Sequence, residues 1–122
     1  MNETVSNIRL ALAEIDETWR PRPLAHINDY AVKVVRVQGE FIWHRHAATD
    51  EMFLVVSGHL DIDLRDADGE RRVSLGADDV FVVPRDVEHR PFSRDGAEIL
   101  LLEPADTVNT GDSPVRESSK AT

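Results

Sequence analysis

His44 and His46 stand two residues apart, Glu51 follows five residues later, and His89 comes 38 residues after that. Three imidazoles and one carboxylate make a nitrogen–oxygen ligand set for a divalent ion. The stretch holding the first three, residues 39–58, reads GEFIWHRHAATDEMFLVVSG and is bounded by Gly39 and Gly58. On an extended strand alternate side chains share a face, so His44 and His46 point the same way, about 6.6 Å apart. Trp43 and Arg45 then point oppositely. Residues 47–50 (AATD) make a loop, and Glu51 opens the next strand, where hairpin pairing returns it beside the histidines. His89 begins a later strand just after a proline-containing turn, in VPRDVEHRPF. Four such donors leave one or two positions of a six-coordinate ion for water or substrate. Any one of these histidines reads more readily as a surface or satisfied core residue; their joint spacing is what points to a metal. His26 and His59 fall outside the pattern, and His59 is expected at the surface.

Composition narrows the chemistry further. The chain has 122 residues and no cysteine, so disulfides and thiolate metal sites are both excluded. Fe, Mn, Ni or catalytic Zn suits nitrogen and oxygen donors. The formal charge of −9 repels phosphate backbones and anionic lipid, so neither nucleic acid nor membrane is an expected partner. No apolar run approaches the roughly 18 residues that span a bilayer. The N-terminal MNETVSNIRLALAEIDE has acids where a signal peptide needs basic residues and a long apolar block. A cytoplasmic location is therefore expected.

The elements that must carry these residues follow from periodicity. Between residues 3 and 16, Val5, Ile8, Leu12 and Ile15 recur at spacings of three and four, one face of an amphipathic helix capped by Thr4 or Ser6. Pro21 and Pro23 forbid its continuation. That helix, within residues 1–20, is expected to pack over an open edge or end of the β domain. After Pro23 the texture turns to β. Residues 29–38, 41–45, 51–56, 59–65, 71–75, 80–83, 89–93 and 98–102 read as strands. Ser57-Gly58 reads as a turn, and Asp68-Gly69 is a strong hairpin signal. Eight or nine short strands at spacings near ten residues predict an antiparallel sandwich or barrel over residues 21–111. From residue 112 to 122 the loss of apolar periodicity predicts a disordered tail.

The pattern resembles the cupin family. Gly39, His44, His46, Glu51 and Gly58 are similar to its first motif, and Gly76, Pro84 and His89 to its second. The departures are one residue fewer between Gly39 and His44, Asp86 where a glycine is usual, and no asparagine at the usual distance after His89. Within the family the chain looks like small stand-alone proteins labelled mannose-6-phosphate isomerase-like. The resemblance implies a double-stranded β-helix (jelly-roll) barrel with a short N-terminal α-helix, a divalent metal held by His44, His46, Glu51 and His89, and commonly a homodimer.

Three functions are compatible with such a barrel. One is a small metalloenzyme, dioxygenase- or isomerase/lyase-type, acting on a small polar molecule. A second is a non-catalytic small-molecule binder or sensor, and a third a structural barrel stabilised by its ion. No Ser–His–Asp arrangement and no glycine-rich phosphate loop appears, so an enzyme of this kind relies on its metal. Phe41, Ile42, Phe53, Val55, Phe81 and Phe92 are candidates for an apolar wall. Arg36, Arg45, Arg90 and Arg94 are candidates for an anion clamp, though each reads more readily as solvated surface. Tyr30, the only tyrosine, either donates into a site or packs at a strand start.

Overall fold

A computed structural model describes residues 4–113; residues 114–122 of the expected tail lie outside the described residues. One short helix, α1 (Ile8–Ala13), precedes six strands: β1 (Arg22–Ile27), β2 (Tyr30–Glu40), β3 (Glu51–Asp66), β4 (Gly69–Gly76), β5 (Val80–Val83) and β6 (Glu88–Pro104). All pairings are antiparallel, in the order β1-β2-β6-β3-β4, with β5 joined to β3.

Two strands are much longer than their sequence patterns suggest. The expected strands 51–56 and 59–65 are one strand, β3, and the expected turn at Ser57-Gly58 is a bulge inside it. The apolar alternation hid this because the bulge changes its phase: Glu51, Phe53 and Val55 face inward before it, Leu60, Ile62 and Leu64 after it. Gly58 sits at φ +85°, and a methyl group there would collide with the Gly96 carbonyl oxygen, so glycine is required. Strands 89–93 and 98–102 are likewise one element, β6. Each long strand bends to serve both halves of a jelly roll, which closes around one interior. Val35, Phe53, Val55, Leu60, Ile62, Leu75 and Ile99 fill it.

Other expectations shift at their edges. Residues 41–45 form no strand, only an isolated bridge at His44. β1 went unforeseen because Pro21 and Pro23 obscure it; as an edge strand it tolerates a missing donor. The helix is only six residues long and is capped by Asn7, whose Oδ1 accepts from Leu10 N at 2.9 Å. Ser6 instead donates to Leu24 O at 3.0 Å. Ala11 and Leu12 pack on Val34, Leu24 and Val56, so α1 lies on the outer sheet face. Arg36 Nε donates to Leu12 O at 3.0 Å and satisfies a carbonyl at its end.

Candidate metal centre

Three separate stretches of backbone bring the four candidate ligands together. His44 and His46 lie on the irregular segment after β2, Glu51 opens β3, and His89 is the second residue of β6. The expected hairpin between the His44 segment and Glu51 does not form. Glu51 pairs with Val83 of β5, and the histidine segment pairs with β6, where His44 N donates to His89 O at 3.1 Å and His89 N to His44 O at 2.8 Å. The loop of residues 47–50 thus leads from one part of the barrel wall to another. All four side chains nevertheless converge, offering ligand atoms within 4.8 Å of one another. They are 3%, 9%, 5% and 1% exposed for His44, His46, Glu51 and His89, in that order.

The rings are oriented for a common target. His44 Nδ1 lies 2.9 Å from Ile42 O and His89 Nδ1 lies 3.0 Å from Val87 O. Each Nδ1–H donates to a carbonyl two residues back, which leaves Nε2 turned into the cluster. Glu51 Oε1 stands 3.3 Å from His89 Nε2 and 3.5 Å from His46 Nε2. His46 Nε2 is buried without a hydrogen-bond partner, a cost that the interior of a protein rarely leaves uncompensated. Burial, reinforced by the neighbouring His89, lowers the His44 pKa to about 4. That ring is therefore neutral at pH 7, the form that ligates. Burial alone would raise the Glu51 carboxyl, but the His46 and His89 imidazoles and the Glu103 carboxyl outweigh it and hold Glu51 well below the usual range. The donors, three imidazole nitrogens and one carboxylate, fit a divalent ion of the Fe, Mn, Ni or Zn kind.

Residues flanking the set hold the histidine segment in place. Asp86 occupies a left-handed conformation, φ +64°, and its N–H donates to His46 O at 2.8 Å. Aspartate thus adopts at this turn the geometry that glycine adopts freely. The segment 107–113 clasps the loop from outside. Arg45 N donates to Asp112 Oδ1 at 2.9 Å, and Asp112 N returns a bond to Arg45 O at 3.1 Å. Gly111, at φ +57°, lies so close that a methyl group would meet Arg45 O and His44 Cδ2.

Inside the barrel a chamber of about 30 Å³ adjoins His44 and Glu51. Its walls include Phe41 and Phe53, two of the expected aromatic candidates, with Val35, Leu60 and Leu101. Trp19 closes it, stacked on Phe41 with ring centroids 4.8 Å apart. Its backbone is held at φ +62° by bonds from Trp19 N to Arg36 O, 2.8 Å, and from Asn109 Nδ2 to Trp19 O, 3.1 Å. His46 also lines an open outer groove of about 500 Å³ with Tyr30, Thr49 and Val108. Among the described residues, no arginine or lysine lines the inner chamber. Arg36 pairs with Glu98, Arg45 with Asp112, and Arg90 with Asp63 while lying over the Trp43 ring. His59 is at the surface, 2.9 Å from Asp61.

Sequence reasoning passed over Trp19, Asn109 and a second buried acid. Glu103 is 2% exposed, and Lys33 Nζ reaches its Oε2 at 2.7 Å. Burial and the adjacent Glu51 push the Glu103 carboxyl up to about 9 in spite of Lys33, which favours its protonated form at pH 7. Strand alternation was the available signal: residues 97, 99, 101 and 103 share the inward face, as do 31, 33, 35 and 37.

Comparison with known proteins agrees with this fold. The cupin domain model matches residues 32–103. The uncharacterized protein YdbB of Bacillus subtilis (strain 168) is 34% identical over 85 residues, 69% of this chain and 73% of that protein. A cupin-2 domain protein from Shewanella frigidimarina NCIMB 400 superposes with a TM-score of 0.77 at 40% identity, covering 82% of this chain and 94% of the other. Hydroquinone 1,2-dioxygenase from Sphingomonas sp. TTNP3, with 4-hydroxybenzoate bound, superposes with a TM-score of 0.73, covering 84% of this chain and 75% of its own. At 17% identity that likeness concerns the fold alone.

Proposed function

The chain belongs to the cupin domain family, and on that premise we propose that His44, His46, Glu51 and His89 bind one divalent metal ion in a small metalloenzyme. The observation that carries this reading is the orientation of the rings. Two Nδ1–H groups are engaged by carbonyls, and three Nε2 atoms are left to face one carboxylate in a buried space. When bound, such an ion supplies Lewis-acid polarisation of an oxygen donor and, if redox-active, one-electron chemistry. Three neutral imidazoles and one carboxylate leave a divalent site with a net charge of +1, which favours an anionic or enolic oxygen donor. The dioxygenase- and isomerase/lyase-type reactions are those that use such a centre.

The protein's own groups shape the substrate. Trp19 and Phe41 stack over the chamber and supply part of its apolar wall. Among the described residues, His44, Glu51 and Asn109 line it with polar side chains beside the Trp19 indole. A small molecule with an apolar body and an oxygen donor matches this wall, which narrows the expected small polar molecule. The chamber is close to the size of one water, so entry of a larger body requires Trp19 to swing. A second reading, a ligand-binding cupin without turnover, is favoured by one observation. Among the described residues, no acid or base other than candidate ligands lines the chamber. Turnover in a substrate screen separates the two. We also propose a homodimer, on family likeness, to be read by sedimentation equilibrium.

Elemental analysis of natively expressed protein tests the central claim. Near-stoichiometric metal is expected in the wild type and little in His44→Ala/His46→Ala. Equal metal in both overturns the proposal.

A further inference from the structure

The barrel interior holds a buried lysine–glutamate pair that the four candidate ligands do not include. Lys33 interrupts the valines of β2, and Glu103 ends the apolar run of β6; they are 7% and 2% exposed. Buried ion pairs are poor stabilisers, since desolvation takes back most of their attraction and apolar replacements of similar size are often as stable or more so. Their position accounts for them better than stability does. β6 runs between β2 and β3: Ala31 pairs with Glu103 and Lys33 with Leu101 on one side, and Met52 pairs with Leu102 on the other. Glu103 therefore lies between the inward side chains of Lys33 and Glu51.

The contacts follow from that register. Lys33 Nζ donates to Glu103 Oε2 at 2.7 Å. Glu103 Oε1 is buried without a hydrogen-bond partner, and the register that pairs Met52 with Leu102 sets Glu103 beside Glu51 on the next strand, both facing inward. Glu51 in turn presents Oε1 to His46 and His89. Glu103 itself lies outside the cluster of convergent ligand atoms. The terminal torsion of a glutamate is broad and poorly defined by sterics alone. A fixed carboxylate orientation thus needs a second partner.

We propose that Glu103, anchored by Lys33, is a positioning residue for Glu51. It holds the carboxylate turned toward the three imidazoles, and the pair serves metal binding rather than stability. This rests on the assignment of His44, His46, Glu51 and His89 as metal ligands.

Four proteins test it: wild type, Glu103→Gln, Glu103→Leu and Lys33→Met/Glu103→Leu. Each is titrated with Co(II) against a competing chelator, its visible Co(II) spectrum recorded, and its metal-free melting temperature measured. Glutamine can still accept from Lys33 and donate to Glu51, so Glu103→Gln should retain the wild-type spectrum and an affinity within about threefold, well short of the usual effect of losing such a partner. Glu103→Leu leaves a buried ammonium unpaired and should melt earlier. The double variant should regain the wild-type melting temperature or exceed it, yet bind Co(II) roughly 10–100-fold more weakly with an altered spectrum. A double variant with wild-type affinity and spectrum overturns the proposal, as does one that fails to fold, because the pair is then structural. Failure of Glu103→Gln to rescue also overturns it. If the wild type binds no Co(II), the metal reading itself falls, and this inference with it.

Discussion

His44 and His89 form a closed antiparallel pair, each backbone N–H bonded to the other's carbonyl, with their rings 4.3 Å apart. Two candidate ligands 45 residues apart in sequence are thus registered by main-chain bonds that survive the loss of either ring. His89→Ala should remove one donor without releasing the segment that carries the others. Its Co(II) affinity is expected to fall by more than about 100-fold, beyond the range of outer-shell changes, while far-UV circular dichroism stays at wild type. A variant that keeps its affinity removes His89 from the ligand set.

Metal binding should also be visible as stability. At free metal about 100 times the dissociation constant, the folded state gains about 2.7 kcal/mol, which for a chain of this size raises the melting temperature by roughly 10 °C. Chelation should reverse the gain in wild type and leave His44→Ala/His46→Ala unmoved. Equal shifts in both proteins would assign the effect to surface sites.

The metal-free protein should weaken in mild acid through His44. The folded protein keeps this ring neutral down to about pH 4, whereas in the unfolded chain it takes up a proton below its ordinary 6.5. The unfolded state therefore binds more protons between those values. Stability is full above pH 6.5 and declines by about 3 kcal/mol as the pH falls to 4. Glu103 acts with the opposite sign, being protonated in the fold with its pKa pushed up to about 9, so the measurement must be a difference. Subtracting the urea stability of His44→Gln from that of wild type, both in chelator, should give a value that shrinks from pH 7 to pH 4. A flat difference contradicts the assignment.

Gly111→Ala places a methyl group against Arg45 O and His44 Cδ2 at a left-handed backbone position. A loss of about 1–3 kcal/mol in urea unfolding is expected, with weaker Co(II) binding because the clasp touches His44. Asp112→Ala, which removes the Arg45 bonds without steric conflict, should show the milder form of both effects. Unchanged metal affinity in Gly111→Ala would make the clasp irrelevant to the site.

Trp19→Ala removes the stacked cover from Phe41 and should cost about 3 kcal/mol of stability. It should also open the chamber, so that phenol, used as an apolar oxygen-donor probe, perturbs the Co(II) spectrum at lower concentration than in wild type. Equal concentrations in both proteins would mean that Trp19 does not limit entry.

The convergence of the four candidate ligands was legible because spacing and residue type suffice to nominate them. The route by which they meet was not. Strand alternation and a hairpin seemed enough to deliver Glu51, but the histidine segment pairs with β6 and Glu51 with β5. Long-range pairing leaves no mark on local periodicity. Bulges hid the continuity of β3 because Gly58 reads locally as a turn, the same residue type serving either geometry. Lys33 and Glu103 were hidden for a different reason: a charge in an apolar run suggests an outward residue until its face is counted. The four nominated arginines likewise carried no sign of which ones would find acidic partners.

β6 is the last strand among the described residues, yet it lies at the middle of the sheet, between β2 and β3. While the chain is being synthesised, its inner neighbours are therefore made first and wait with open edges. The barrel has no centre until β6 slots between them, and that strand brings both His89 and Glu103. Before then the chain can offer an ion only His44, His46 and Glu51, on segments nothing yet holds together. An ion that needs all four candidate ligands can therefore be held only once β6 is in place.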